Sequence, residues 1–243
     1  MLLFYRVTAE DPDPSTLAED GLPAKGDAPV RLWKSLEALP AGAGPVFVVD
    51  QRALRNGDPA EDARSVRVPA VPPDALRNVD PYRPPRPVTA GGGYVGRSLP
   101  DAVALLLIFR RGVWDLPKGT KVPAESVETC AQREVCEEVG VDAVRILRSL
   151  GTTQHGYTDE DHYAVKTTHW YLMKTPERSF TPDRREGIRR VTWGRWPVAR
   201  RHMGYDTLCR HMDRVEPRVR AALSDESSEG GRRGTHSASK RSY

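Results

Sequence analysis

Apolar positions fall in short, separated runs over the first third of the chain and in longer, denser runs after it. Leu2 to Val7, Val46 to Asp50 and Val66 to Val71 read as strands, each bounded by Pro, Gly or Asp. Arg31 to Leu39 is predicted as a helix. Residues 80–87 (Asp-Pro-Tyr-Arg-Pro-Pro-Arg-Pro) cannot form a regular helix and read as a linker. Beyond it, residues 90–95 (Ala-Gly-Gly-Gly-Tyr-Val) precede the strongly apolar strand candidate Ala102 to Phe109. A turn-like stretch, residues 114–119 (Trp-Asp-Leu-Pro-Lys-Gly), leads to a helix predicted from about Glu125 to Val139 and stopped by Gly140. Further strand patterns cover Val144 to Gln154, Ala164 to Met173 and Ile188 to Trp193, and a last helix covers Asp206 to Ala222.

Strands on both sides of a helix imply a mixed α/β domain. The expected division is residues 1–85 as an N-terminal α/β segment without an assigned role, 86–223 as the main domain, and 224–243 as a Ser-, Gly- and Arg-rich disordered tail. Composition bounds the class: of 243 residues, 38% are hydrophobic and 29% charged, as in a soluble globular protein. The formal charge of +4 suits anionic ligands, and because part of it lies in the tail, nucleic acid is not an expected partner. Three cysteines, Cys130, Cys136 and Cys209, form neither a disulfide framework nor a zinc-ligand spacing. No leader-like or membrane-length apolar stretch is present, so a cytoplasmic protein without membrane attachment is expected.

The chemistry concentrates between Gly119 and Val141. On a helix, Glu134, Glu137 and Glu138 stand at i, i+3 and i+4, so their carboxylates crowd one side of a single turn near the helix C-terminus. Neither mutual repulsion nor the helix dipole favours that arrangement, and a cation is needed to offset it. Carboxylate oxygens are hard ligands suited to Mg²⁺ or Mn²⁺. Ala131, Val135 and Val139 form an apolar stripe beside them that can pack on a sheet, and Arg133 is placed to clamp one carboxylate. Three glutamates alone would more often be a solvated helix face.

The spacing alters that balance. Gly119, five residues, Glu125, seven residues, Arg133-Glu134, an apolar residue, any residue, Glu137-Glu138, any residue, Gly140 and an apolar residue together resemble the Nudix box, and every specified position is met. Residues 88 to 220 look like a Nudix (MutT-like) domain, and the Trp-Asp-Leu-Pro-Lys-Gly segment is similar to that of polyphosphate-cleaving members. The resemblance implies an α/β/α sandwich with a mixed sheet, accompanied here by the small N-terminal α/β segment. It implies Mg²⁺- or Mn²⁺-dependent hydrolysis of a diphosphate linkage in a small phosphorylated metabolite. A nucleoside or dinucleoside polyphosphate is the first expectation; a diphosphoinositol polyphosphate or sugar diphosphate is the second.

By the same resemblance Glu134, Glu137 and Glu138 would be metal ligands with the Gly119 carbonyl, Arg133 would orient a carboxylate, and a box glutamate or Glu186 would take a proton from water. Lys118 and Arg110 are candidate phosphate contacts; Trp170 is a candidate base-stacking ring and His155 a candidate substrate contact. Core packing or surface exposure is the rival reading of each. A Nudix-fold module that senses a metabolite without cutting it is the alternative from another class, disfavoured by the complete box. Residues 1–85 would shape the cleft or make a homodimer contact.

Overall fold

The computed structural model describes residues 1–23, 28–54, 60–61 and 64–233. Contacts divide the chain into two units: one of residues 1–88 with 154–167, the other of residues 89–153 with 168–243. Residues 154–167 thus group with the N-terminal residues although they follow them by more than sixty positions.

The first unit is built on a five-stranded sheet. Its elements are β1 (Leu2–Arg6), α1 (Pro14–Asp20), β2 (Val30–Trp33), β3 (Val46–Asp50), β4 (Ala60–Glu61) and β5 (Ser65–Val68), in strand order β3-β1-β2-β5-β4. Alternation along β1 and β3 sends Leu3, Phe47 and Val49 to one core with Leu17 of α1, and Leu2, Phe4, Val46 and Val48 to a second core. Tyr163 and Val165 complete that second core, which is why the 154–167 segment belongs to this unit. The helix expected over Arg31 to Leu39 does not form. Val30 to Trp33 alternate between inside and outside and pair antiparallel with β5, Val30 opposite Val68. Burying Val30 and Leu32 against a sheet face outweighs a weak local helix preference.

The second unit has the expected α/β fold with a mixed sheet, an α/β/α sandwich. Its elements are β6 (Pro85–Ser98), β7 (Val103–Arg110), β8 (Val113–Asp115), β9 (Lys118–Thr120), α2 (Val127–Val139), β10 (Arg145–Asp159), β11 (His162–Lys174), β12 (Ile188–Arg195), α3 (Trp196–His202) and α4 (Asp206–Arg233), of which β6 and β11 begin, and β10 ends, among residues of the first unit. The seven-stranded sheet runs β10-β11-β6-β7-β12, with β8 on β7 and β9 on β6. Period-two alternation arms both faces. Leu106 and Ile108 of β7 and Tyr171 and Met173 of β11 meet Ala131, Val135 and Val139 of α2. Leu105, Leu107, Trp170 and Leu172 meet Trp196 of α3 and Leu208, Met212, Val215 and Val219 of α4.

The glycine run on β6 brings α2 close. A Cβ on Gly91 would lie 2.6 Å from the backbone nitrogen of Ala131, so the helix rests on bare strand backbone. Ser126 caps the helix start by accepting from Thr129 N at 3.0 Å, and Gly140 ends it in the left-handed region. The last helix runs to Arg233, past the boundary expected at 223, because a helix already nucleated by packing extends at one hydrogen bond per residue. The rest of the expected tail, 234–243, lies outside the described residues. Among the described residues no helix is long and apolar enough to cross a membrane.

Candidate active site

Two charge clusters flank α2, both within the second unit. The first is gathered by Arg133. Its Nη2 donates to Glu125 Oε1 at 2.8 Å and its Nη1 to Glu134 Oε1 at 2.8 Å and Glu137 Oε2 at 3.0 Å. Nε reaches the other oxygen of Glu125 at 3.2 Å, so that contact is bidentate. Arg133 therefore holds three carboxylates rather than one. Glu125 also accepts from Val122 N at 2.8 Å; the Arg133 hydrogen bonds, then this one, hold its carboxyl down at about 2. Glu134 is pushed up, first by burial and then by the like charges of Glu137 and Glu186, against the pull of Arg133. Glu186, on the turn before β12, thus has its charge felt at Glu134. Glu137 is the most open of the box glutamates, its side chain 55% exposed.

Glu134 sits directly on the β9 backbone. A Cβ on Gly119 would fall 1.7 Å from Glu134 Oε2, so only glycine leaves room for that carboxylate. Gly119 itself pairs with Gly91 of β6, which fixes the backbone beneath the acid.

The second cluster is buried. Glu138, 2% exposed, accepts from Arg110 Nη1 at 2.8 Å on one oxygen and from Lys118 N at 2.8 Å on the other. Burial pushes its carboxyl up to about 7, with Arg110 and Lys118 opposing. Asp115 is fully buried; it accepts from Arg110 Nη2 at 3.3 Å, from Leu116 N at 2.8 Å, and makes a short ion pair with the Lys118 ammonium. Burial lowers the proton affinity of Lys118, and Asp115 opposes that.

The structure places the other expected contact residues as follows. Lys118, its side chain only 13% exposed, directs its ammonium to Asp115 instead of solvent. Arg110 uses its guanidinium on Glu138 and Asp115. Trp170 is 1% exposed inside the core, its Nε1 donating to Thr153 Oγ1 at 2.9 Å, so no ring face is open to a base. His155 belongs to the first unit, where its ring stacks on Tyr157 with centroids 5.9 Å apart. Asp115 was missed: one acid between Trp114 and Leu116 has no periodic signal, and its Arg110 partner arrives through the pairing of β7 with β8.

A hard divalent cation matches the donor types here: carboxylate oxygens of Glu134, Glu137 and Glu138 with the Gly119 carbonyl. The Glu134 carboxylate fills the place a Cβ on Gly119 would take, so this acid lies directly against the Gly119 backbone. Among the described residues no three acidic, His or Cys groups already converge on one point; Arg133 and Arg110 hold the carboxylates apart.

Residues 99–203 match the family described as NUDIX domain. Among curated relatives, a proposed mutator protein, MutT4, of Mycobacterium tuberculosis (strain CDC 1551 / Oshkosh) is 34% identical over 94 residues, which cover 35% of this chain and 38% of that protein. A proposed 8-oxo-dGTP diphosphatase of Bacillus subtilis (strain 168) is 39% identical over 67 residues, covering 26% of this chain and 44% of the relative. The match thus spans under half the length of either relative. Among solved structures, a C. elegans Ap4A hydrolase in a binary complex aligns at 17% identity and a TM-score of 0.45, over 55% of this chain and 98% of that one.

Proposed function

We propose that the second unit hydrolyses a diphosphate linkage in a nucleoside or dinucleoside polyphosphate by direct attack of water at phosphorus. The water oxygen bonds to phosphorus, the bridging P–O bond breaks, and one product leaves with a new terminal phosphate. Glu134, Glu137 and Glu138, with the Gly119 carbonyl, are the proposed holders of Mg²⁺ or Mn²⁺, which supplies charge compensation at the phosphate oxygens and acidifies water. Arg133 orients Glu134 and Glu137 and keeps their charges compensated. Glu186 is the proposed acceptor of the water's proton, since its charge is already felt at Glu134. The observation that carries this reading is the complete box seated on α2, with Glu134 packed on the Gly119 backbone.

The 8-oxo-dGTP diphosphatase relative favours nucleotides. With Trp170 buried, this reading assigns no base-stacking ring, and diphosphoinositol polyphosphates and sugar diphosphates stay as a second substrate class. The test is a phosphate-release screen with Mg²⁺ and Mn²⁺ over nucleoside triphosphates, dinucleoside polyphosphates, nucleotide sugars and inositol diphosphates. Metal-dependent turnover of a nucleotide, lost in Glu134→Gln, supports the proposal. Absence of turnover across the panel with intact metal binding would favour a sensing module.

A further inference from the structure

Arg110, Asp115, Lys118 and Glu138 bring two formal positive and two formal negative charges together out of solvent. Buried charges are tolerated only when paired, and removing one partner leaves the other uncompensated. The pairing here is shared. Arg110 divides its guanidinium between Glu138 and Asp115, while Asp115 divides a single oxygen between Arg110 and Lys118. Glu138 additionally accepts the Lys118 backbone N–H, so both of its oxygens are engaged within this cluster. The β-hairpin produces the assembly: Ile108 on β7 stands opposite Asp115 on β8, and Arg110 opposite Val113, two residues nearer the turn. Lys118 opens β9, held by pairing to Gly92 on β6.

We propose that Asp115 is a positioning residue that sets how firmly Arg110 holds Glu138, and thereby how readily Glu138 turns to a divalent cation. The proposal rests on the reading of Glu138 as a metal ligand. Its physical basis is competition. With Asp115 charged, part of the attraction of Arg110 is drawn off Glu138, and the Lys118 ammonium makes its direct contact with Asp115 while acting on Glu138 only from farther away. Without that charge, two cations share one acid and hold it more tightly against an incoming metal ion. Without the Lys118 charge, Asp115 draws more of Arg110 and leaves Glu138 freer.

The two single charge deletions therefore act in opposite directions. Mn²⁺ is titrated into the full-length protein without substrate, and free Mn²⁺ is followed by electron paramagnetic resonance. Asp115→Asn is expected to weaken Mn²⁺ binding about tenfold and Lys118→Met to tighten it by about as much, the scale on which groups behind a metal ligand act. The double variant Asp115→Asn/Lys118→Met, neutral overall like the unaltered cluster, is expected to return near the starting affinity. A residue that only fills the core would move both single variants the same way, in step with lost thermal stability, and that result overturns the proposal. Should Asp115→Asn fail to fold, Lys118→Met and the double variant decide: no tightening in the former is a refutation. If the unaltered protein binds no Mn²⁺, the metal-dependent reading itself falls and this inference with it; binding with same-direction changes removes only the role of Asp115.

Discussion

The carboxylate of Glu134 occupies the space into which a side chain on Gly119 would grow, with Oε2 only 1.7 Å from where that Cβ would lie. A strand of three residues, Lys118–Thr120, and a helix beginning at Val127 thus meet at a point where one contributes only backbone and the other an acid. Gly119→Ala is expected to leave the fold in place, because Gly119 is not among the glycines with positive φ. It must displace Glu134, and a misplacement of about 1 Å costs on the order of a hundredfold in turnover. Steady-state hydrolysis beside a thermal melt checks this: an unchanged melt with full activity would separate Glu134 from the chemistry.

Arg133 is the only guanidinium bonded to Glu125, Glu134 and Glu137 among the described contacts. Arg133→Ala leaves three carboxylates facing one another, so the variant is expected to melt lower in EDTA than the unaltered protein. If a divalent ion takes over the compensation, Mg²⁺ should recover much of the difference. A chain of this size shifts by about 2–4 °C for each kcal/mol lost, a change within reach of calorimetry. Equal losses with and without Mg²⁺ would mean that Arg133 and the ion do not act on the same acids.

What the sequence made legible follows from the range of each signal. The α2 helix was readable because Ala131, Val135 and Val139 recur at helical spacing and Gly140 marks the stop, all within one short window. The apolar run from Val103 to Ile108 declared a strand buried on both faces. Partners distant in sequence were not legible. Val30 to Trp33 becomes a strand because β5 lies beside it, and Tyr163 joins the first unit because Phe4 and Val48 share its core. The box itself named Glu134, Glu137 and Glu138 as a group. Only tertiary placement divides them, Glu134 and Glu137 going to Arg133 and Glu138 to Arg110. Asp115 depended on hairpin register, and no local pattern encodes that.

His211 on α4 meets the hydroxyl of Tyr94 on β6 through Nδ1 at 2.7 Å, and the backbone of Leu150 lies close enough to its ring to favour the protonated form. Trp170 on β11 lies against the ring, and the charges acting on it are Arg214 and Arg218 of its own helix. Burial, then Arg214, lowers its proton affinity to about 4 from an ordinary 6.5. The folded pKa is depressed, so the unfolded chain takes up the proton first as pH falls. The stability contributed by neutral His211 is present above 6.5 and is lost progressively down to about 4. At pH 5 the loss is on the order of 2 kcal/mol. Glu138 works in the opposite sense, its raised pKa reducing stability as pH climbs from about 4.5 toward about 7, so the comparison belongs in an E138Q background. There, urea unfolding at pH 7 and pH 5 should show a steeper decline with His211 than with His211→Asn, whose amide still reaches Tyr94 but does not titrate. Identical declines would assign the acid sensitivity elsewhere.

Trp170 distinguishes a ring that reads substrate from one that holds the sheet to its helices. It is edge-on to Tyr94, with centroids 5.5 Å apart, and its indole N–H is satisfied by Thr153. Trp170→Phe removes that donor and part of the ring without introducing a charge. As a core residue it is expected to cost about 1–3 kcal/mol in stability, from the unpaired Thr153 hydroxyl and the small void left behind. KM for any nucleotide turned over should then stay as it was, because the ring has no open face on which a base can stack. Paired melts and initial-rate curves separate the two roles. A raised KM at an unchanged melting temperature would return the ring to the substrate and require the surrounding core to open during turnover; a lowered melting temperature at constant KM leaves base recognition to other residues of the second unit.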